Sequence, residues 1–312
     1  MKKKKIFWHF FMYLPLIFTL ILAARVTYRN HQQNLALGPK VAGAPTLDPK
    51  KRVMLPAPKI TSHFTAKQPA SLKPVLRWEK VKGAPVYEIE VFDQGREIYS
   101  NAYVFVDGFN LALPADFKSG KISWHVRALN IDRLPMTDYS AMEEAYIDSK
   151  LTVVQYPVPT VDYNIGNGTS MLYPVYNWIP IDGAAHYEVE ILSQPPENPM
   201  GTEPSQYRIG QGLSDTSELY DDFPRYSEEP FYWRVRGLND NGEVVGVFSP
   251  AKKFVTNPDK PYMIGTYGDS ITHGGGGVSY SPADWEYDYQ SYLKFDSINL
   301  ALSGDTSATM VE

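Results

Sequence analysis

The sequence predicts a multidomain chain: a membrane-anchor helix, two all-β sandwiches, and then an incomplete α/β segment. Three observations carry that prediction. A lysine run precedes nineteen mostly apolar residues, Ile6 to Ala24. Two stretches about a hundred residues apart repeat each other with strand-like alternation. Close to the C-terminus, a strand, a glycine-rich polar turn, a helix start and a second strand follow one another.

The first 24 residues read as a targeting segment. Nineteen apolar residues suffice to span a bilayer as a helix. Lys2 to Lys5 would stay on the cytoplasmic side and place the rest of the chain in an extracytoplasmic position at the cell membrane. A cleaved signal peptide, and so a secreted chain, is the alternative. Leu22-Ala23-Ala24 puts a bulky residue where a cleavage site wants a small one, so the anchor is preferred. Residues 25–73 read as a stalk. Seven prolines fall between Gly38 and Pro74, without sustained periodicity, and favour extended, semi-rigid conformations. A disordered linker fits that composition equally.

Residues 74–157 and 158–257 read as two copies of one β-sandwich. Leu76-Arg-Trp78 to Val91 matches Tyr176-Asn-Trp178 to Ile191 at an offset of 100, and Ile122-Ser-Trp124 to Asn130 matches Phe231-Tyr-Trp233 to Asn239 at 109. The nine extra residues belong to the proline-bearing loop around Pro195, Pro196, Pro199 and Pro204. A repeat of this length is a whole domain rather than a solenoid unit. Tyr87, Ile89 and Val91 alternate with Glu88 and Glu90, as Tyr187, Val189 and Ile191 do with Glu188 and Glu190, the period of a half-buried strand. Trp78, Trp124, Val126, Trp178, Trp233 and Val235 complete the expected cores. Arg127 is expected across from Glu88 or Glu90, and Arg236 from Glu188 or Glu190, as a solvated charged face. These segments resemble fibronectin type III and related immunoglobulin-like modules, in which such tryptophan, tyrosine and aromatic-x-Val-Arg strands recur.

Residues 258–312 read as the first part of a further domain. Met263 and Ile264 end a short strand, and the chain turns through Gly268-Asp269-Ser270 toward the glycines at 274–277. Ser281-Pro282-Ala283-Asp284 starts a helix, with Trp285, Tyr289, Tyr292 and Leu293 on one face. Ile298 to Leu302 is a second strand, ending in Ser303-Gly304-Asp305-Thr306. A right-handed crossover would make the strands parallel and bring both turns to one sheet edge. The two blocks, Tyr267 to Thr272 and Asn299 to Thr306, resemble the first two sequence blocks of the SGNH (GDSL-type) esterase and lipase family. That resemblance implies a flavodoxin-like α/β fold, Ser270 as catalytic nucleophile, and the Gly304 N–H as an oxyanion donor. Ester hydrolysis on an acylated carbohydrate or lipid follows, with acyl transfer as a variant. No cofactor and no metal is expected, and no substrate-binding residue is identified.

The departures from that pattern matter as much. The asparagine block and the closing Asp-x-x-His block, which supplies the base, do not occur before Glu312. His9, His31, His63, His125 and His186 lie in other segments. His273 reads as a loop residue at the mouth of the site. A serine without a base is a poor nucleophile, so the chain as given is expected to be inactive, a piece of a longer hydrolase or a shortened form. The competing expectation is a non-catalytic carbohydrate-binding or adhesion protein ending in a hydrolase remnant.

Charge narrows the partners. Net charge is −5; beyond residue 24 the chain carries 26 basic and 35 acidic residues, a balance of −9. Nucleic-acid recognition is built on basic patches, so none is expected here. The absence of cysteine excludes disulfides and thiolate metal sites.

Overall fold

The structure is a computed structural model that describes residues 54–81, 83–130, 132–160, 170–226, 229–254, 261–273, 290, 293 and 295–311. Those residues are nearly all β.

In the first sandwich, β1 (Val75–Arg77) pairs with β4 (Gly108–Asn110). Facing them, β2 (Val86–Asp93), β3 (Arg96–Val104), β5 (Lys121–Leu129) and β6 (Glu143–Tyr146) form an antiparallel sheet in the order β3-β2-β5-β6. In the second sandwich, β7 (Val158–Pro159), β9 (Val175–Ile179) and β12 (Glu218–Tyr220) make one sheet, ordered β12-β9-β7. The other is β11 (Arg208–Ser214), β10 (His186–Leu192) and β13 (Phe231–Leu238), with β14 (Val244–Val245) and β15 (Lys252–Phe254) both on β13. Two strands against four in the first and three against five in the second, with connections that cross between sheets, is the architecture of an immunoglobulin-like sandwich.

The cores follow from the alternation. Trp78, Tyr87, Ile89, Val91, Trp124 and Val126 are buried in the first sandwich, and Trp178, Tyr187, Val189, Ile191, Trp233 and Val235 in the second. The repeat persists in detail. Trp78 lies 5.3 Å from Tyr87 and Trp178 5.3 Å from Tyr187, between ring centroids. Each tyrosine hydroxyl accepts an N–H from the turn before its strand, Val81 at 2.8 Å and Ile181 at 3.2 Å. Both turns need a left-handed residue, supplied by Gly83 (φ 76°) and Gly183 (φ 85°).

Residues 54–73, expected in a stalk, instead lie against the first sandwich. Leu55 bridges Thr137, Ile60 bridges Trp78, Phe64 bridges Ala145, and Ala70 bridges Ile147. Extended proline-rich chain suits this, because it can supply single bridges without forming a full ladder.

Two expectations are corrected. The membrane-anchor helix, and with it the single-pass cell-membrane placement, is not found: no helix among the described residues is long and apolar enough to cross a membrane. Residues 1–24 themselves lie outside the described residues. Nor is an α/β layer found among the described residues of 258–312. The described part of that stretch contributes β16 (Ile264–Thr266), a four-residue helix Ser270–His273, β17 (Ser297–Asn299) and a 3-10 turn Thr309–Val311. β16 and β17 are parallel, but they extend β8 (Ser170–Met171) of the second sandwich in the order β16-β17-β8. Strands of two and three residues carry few ladder bonds, so this small sheet depends on the packing beside it. The helix read at Ser281–Leu293 falls almost wholly outside the described residues.

Candidate functional site

Chemistry-bearing side chains gather at two places, the C-terminal turns and a cleft between the sandwiches. Ser270 opens the short helix after β16, and Gly304, at φ 96°, follows β17. Parallel pairing brings both turns to the same end of the strands. There the Leu302 N–H donates to the Gly268 carbonyl at 3.2 Å, and the Leu300 N–H to the Thr266 carbonyl at 2.9 Å.

His273 is not at the mouth of a site; it is fully buried. Its Nδ1 accepts the Ser303 N–H at 3.1 Å and lies 2.9 Å from Ser303 Oγ. Its Nε2 donates to the Tyr173 carbonyl at 2.8 Å, which fixes the proton on Nε2. The Tyr220 ring meets it edge-on, with centroids 5.7 Å apart. Burial holds the ring's pKa below the ordinary imidazole range, against the opposing pull of the Tyr173 carbonyl. Nε2 therefore docks this segment to the second sandwich, while Nδ1 ties the short helix to the turn after β17. Gln290 and Asn299, both buried, donate to the Thr272 carbonyl at 3.0 Å each, satisfying the open end of the short helix. The Ser270 hydroxyl, half-buried, has no hydrogen-bond partner among the described residues.

The cleft lies at the junction of the sandwiches and encloses about 370 Å³. β3 and the chain after it supply Tyr99, Asn101, Tyr103 and Phe105, and the second sandwich supplies Pro180, Asp182 and Ser217. Tyr99 and Asn101 are two residues apart on β3, so strand geometry turns them to one face; a register shift against β2 follows Asn101, and Tyr103 lines the cleft beyond it. Tyr99 stacks on Phe109 at 5.2 Å. Asn101 is held at both ends: its Nδ2 donates to Tyr99 Oη at 3.3 Å, and its Oδ1 accepts the Tyr103 N–H at 2.9 Å. Tyr103 is 55% exposed, and the Arg133 guanidinium lies 3.5 Å from its ring centroid. Arg133 holds a left-handed backbone (φ 58°) that a non-glycine residue adopts at a cost. An ion pair, Lys73 Nζ to Asp182 Oδ2 at 2.9 Å, ties the two sandwiches. A second hollow of about 350 Å³ shares Phe105, Pro180 and Ser217 and runs on to Asp215 and Thr216. The Tyr-Ser-Asn-Ala-Tyr run at 99–103 is a signal the sequence offers, but its opposite wall comes from residues some eighty positions later.

The charged strand faces pair as the alternation predicts. Glu88 stands opposite Arg127, and Glu188 opposite Arg236. Arg236 meets the Glu188 carboxylate at 2.6 Å. The two faces differ in one respect. The proline-bearing loop folds over the second: Arg234 Nη1 donates to the Asn198 carbonyl at 2.9 Å, and the Ser205 N–H to Glu190 at 2.7 Å.

No family model matches the chain, and no curated protein matches it. Solved structures of fibronectin type III modules resemble it. The FN1–FN3 domains of chicken CNTN1 are 8% identical, with 65% of this chain and 68% of that one covered at a TM-score of 0.25. A two-module fibronectin type III segment from chicken tenascin is 12% identical, covering 64% and 98%, at 0.22. The central fibronectin III array of RIM-binding protein is 10% identical, covering 67% and 71%, at 0.26. At these values the fold rests on the strand pairing described above. None of these similarities is to an SGNH esterase.

Proposed function

We propose that the paired sandwiches form a non-catalytic binding unit of the adhesion type, and that the junction cleft takes a short, uncharged saccharide. The observation that supports this reading is the lining of the cleft. The C–H faces of a sugar ring lie flat on tyrosine rings. Its hydroxyls both donate and accept, matching a mixed set of carboxamide, carboxylate and hydroxyl groups. Clefts between domains are favoured places for small ligands. Tyr103 offers the exposed ring, and Asn101, already locked at both ends, offers a polar group at little entropic cost. A glycan array probed with the 312-residue chain should give a restricted set of neutral glycans. Tyr103→Ala should weaken binding to those glycans by about tenfold, the loss expected of one stacked ring. Unchanged binding in Tyr103→Ala would remove the cleft from the account.

A second reading is favoured by the hydrogen-bonded turns at the ends of β16 and β17. In it, Ser270 attacks an acyl ester and the Gly304 N–H receives the oxyanion. The Ser270 hydroxyl lacks a base among the described residues, so the binding reading expects the present chain to be silent toward a fluorophosphonate probe. Labelling at Ser270 would revive catalysis and demote the binding reading.

A further inference from the structure

β11 is the outermost strand of its sheet; among the described residues it pairs only with β10. An edge strand presents a row of unpaired N–H and C=O groups, and charge or distortion normally guards it. β3, the matching edge of the first sandwich, carries Arg96 and Glu97 and shifts register twice against β2. β11 shifts register once against β10, at Ile209 between Arg208 and Gly210, and has no charged residue from Ile209 to Ser214. Arg208, at its start, is drawn back onto its own sheet by Glu188 at 2.8 Å and Glu190 at 2.7 Å.

The side chains of β11 are arranged symmetrically. Ile209 and Leu213, 47% and 68% exposed, stand on one face with Gln211 between them. The alternate positions are Gly210 and Gly212, where an added Cβ would run into Arg225 and Leu219. The run Ile209-Gly210-Gln211-Gly212-Leu213 therefore presents the same pattern read in either direction. An antiparallel copy centred on Gln211 sets Ile209 against the partner's Leu213, and Gly210 against the partner's Gly212. Such a contact is isologous and closes on itself, as a two-fold dimer requires.

We propose that β11 pairs antiparallel with β11 of a second copy of this chain, centred on Gln211, joining two sheets into one. Sedimentation equilibrium of the 312-residue chain should show reversible dimerisation. Leu213→Lys, a change at an exposed position, should raise the dissociation constant by about tenfold or more, because each dimer loses two apolar cross-strand pairs. The absence of cysteine permits a second test. Opposed residues in an antiparallel pair lie about 4.5–5.5 Å apart at Cα, within disulfide range. Gln211→Cys should therefore oxidise to a disulfide-linked dimer, whereas Asn241→Cys, exposed on a distant turn, should not. Three results would overturn the proposal: a monomer at every concentration, association that Leu213→Lys leaves unchanged, or equal cross-linking of the two cysteine variants.

Discussion

Arg234 and His125 occupy equivalent places in the two copies, and their surroundings explain why one is an arginine and the other a histidine. Arg234 is fully buried, gripped by Glu190 at 2.6 Å and by the carbonyls of the inserted loop, and stacked on Phe248 at 4.1 Å. In the first sandwich no such loop arrives. Tyr139 stands where Phe248 does, and its hydroxyl donates to Glu90 at 2.6 Å while its ring stacks on His125 at 3.9 Å. Burial raises the Glu90 pKa, but the bonds from Tyr139 and His125 outweigh it and hold the carboxyl below its usual range. Removing one member of a fully buried pair leaves a bare charge, so Arg234→Ala should cost about 3–5 kcal/mol. Arg127→Ala, in a partly exposed pair, should cost about 1 kcal/mol or less. Urea unfolding measures both, and equal losses would mean that the loop does not seal its face. The Glu–Arg pairing is legible in the sequence, because alternation and antiparallel register fix which residues oppose. The depth of Glu190 and Arg234 is not legible, because it depends on where an inserted loop lands.

At the scale of elements, the C-terminal strands join β8 in a small parallel sheet, and His273 pins them to the second sandwich. Its contact with Tyr173 spans a hundred residues, which no local pattern announces. The polar turns and the parallel strands are readable; the two-residue strand β8 that receives them is too short to leave a periodic trace. A pH dependence follows. The folded ring stays neutral to lower pH than a free one. As pH falls below about 6.5, the unfolded segment gains a proton that the docked segment refuses. Docking of β16 and β17 should thus be at full strength above that pH and weaken below it. Amide exchange at Ile298 and Leu300, compared at neutral and mildly acidic pH and corrected for intrinsic rates, reads this directly. His273→Gln, which has no proton to gain in this range, should abolish the pH dependence. A slope that survives His273→Gln would place its origin elsewhere.

At the scale of the whole molecule, duplication creates a surface that neither copy has alone. Each sandwich is foreseeable from its own tryptophans, tyrosine strand and glycine turn. The cleft is not, since Tyr99, Asn101 and Tyr103 face Pro180, Asp182 and Ser217 only once the two copies abut. The binding reading and the ester-cleaving reading also occupy different ends of the described chain, so one measurement separates them. Hydrogen–deuterium exchange of the full chain, with and without a glycan selected on the array, tests the central claim most directly. The account predicts slowed exchange in 99–110, 180–182 and 215–218, and no change in 264–273 or 297–304. Protection confined to the C-terminal turns, or none anywhere at saturating glycan, would contradict it.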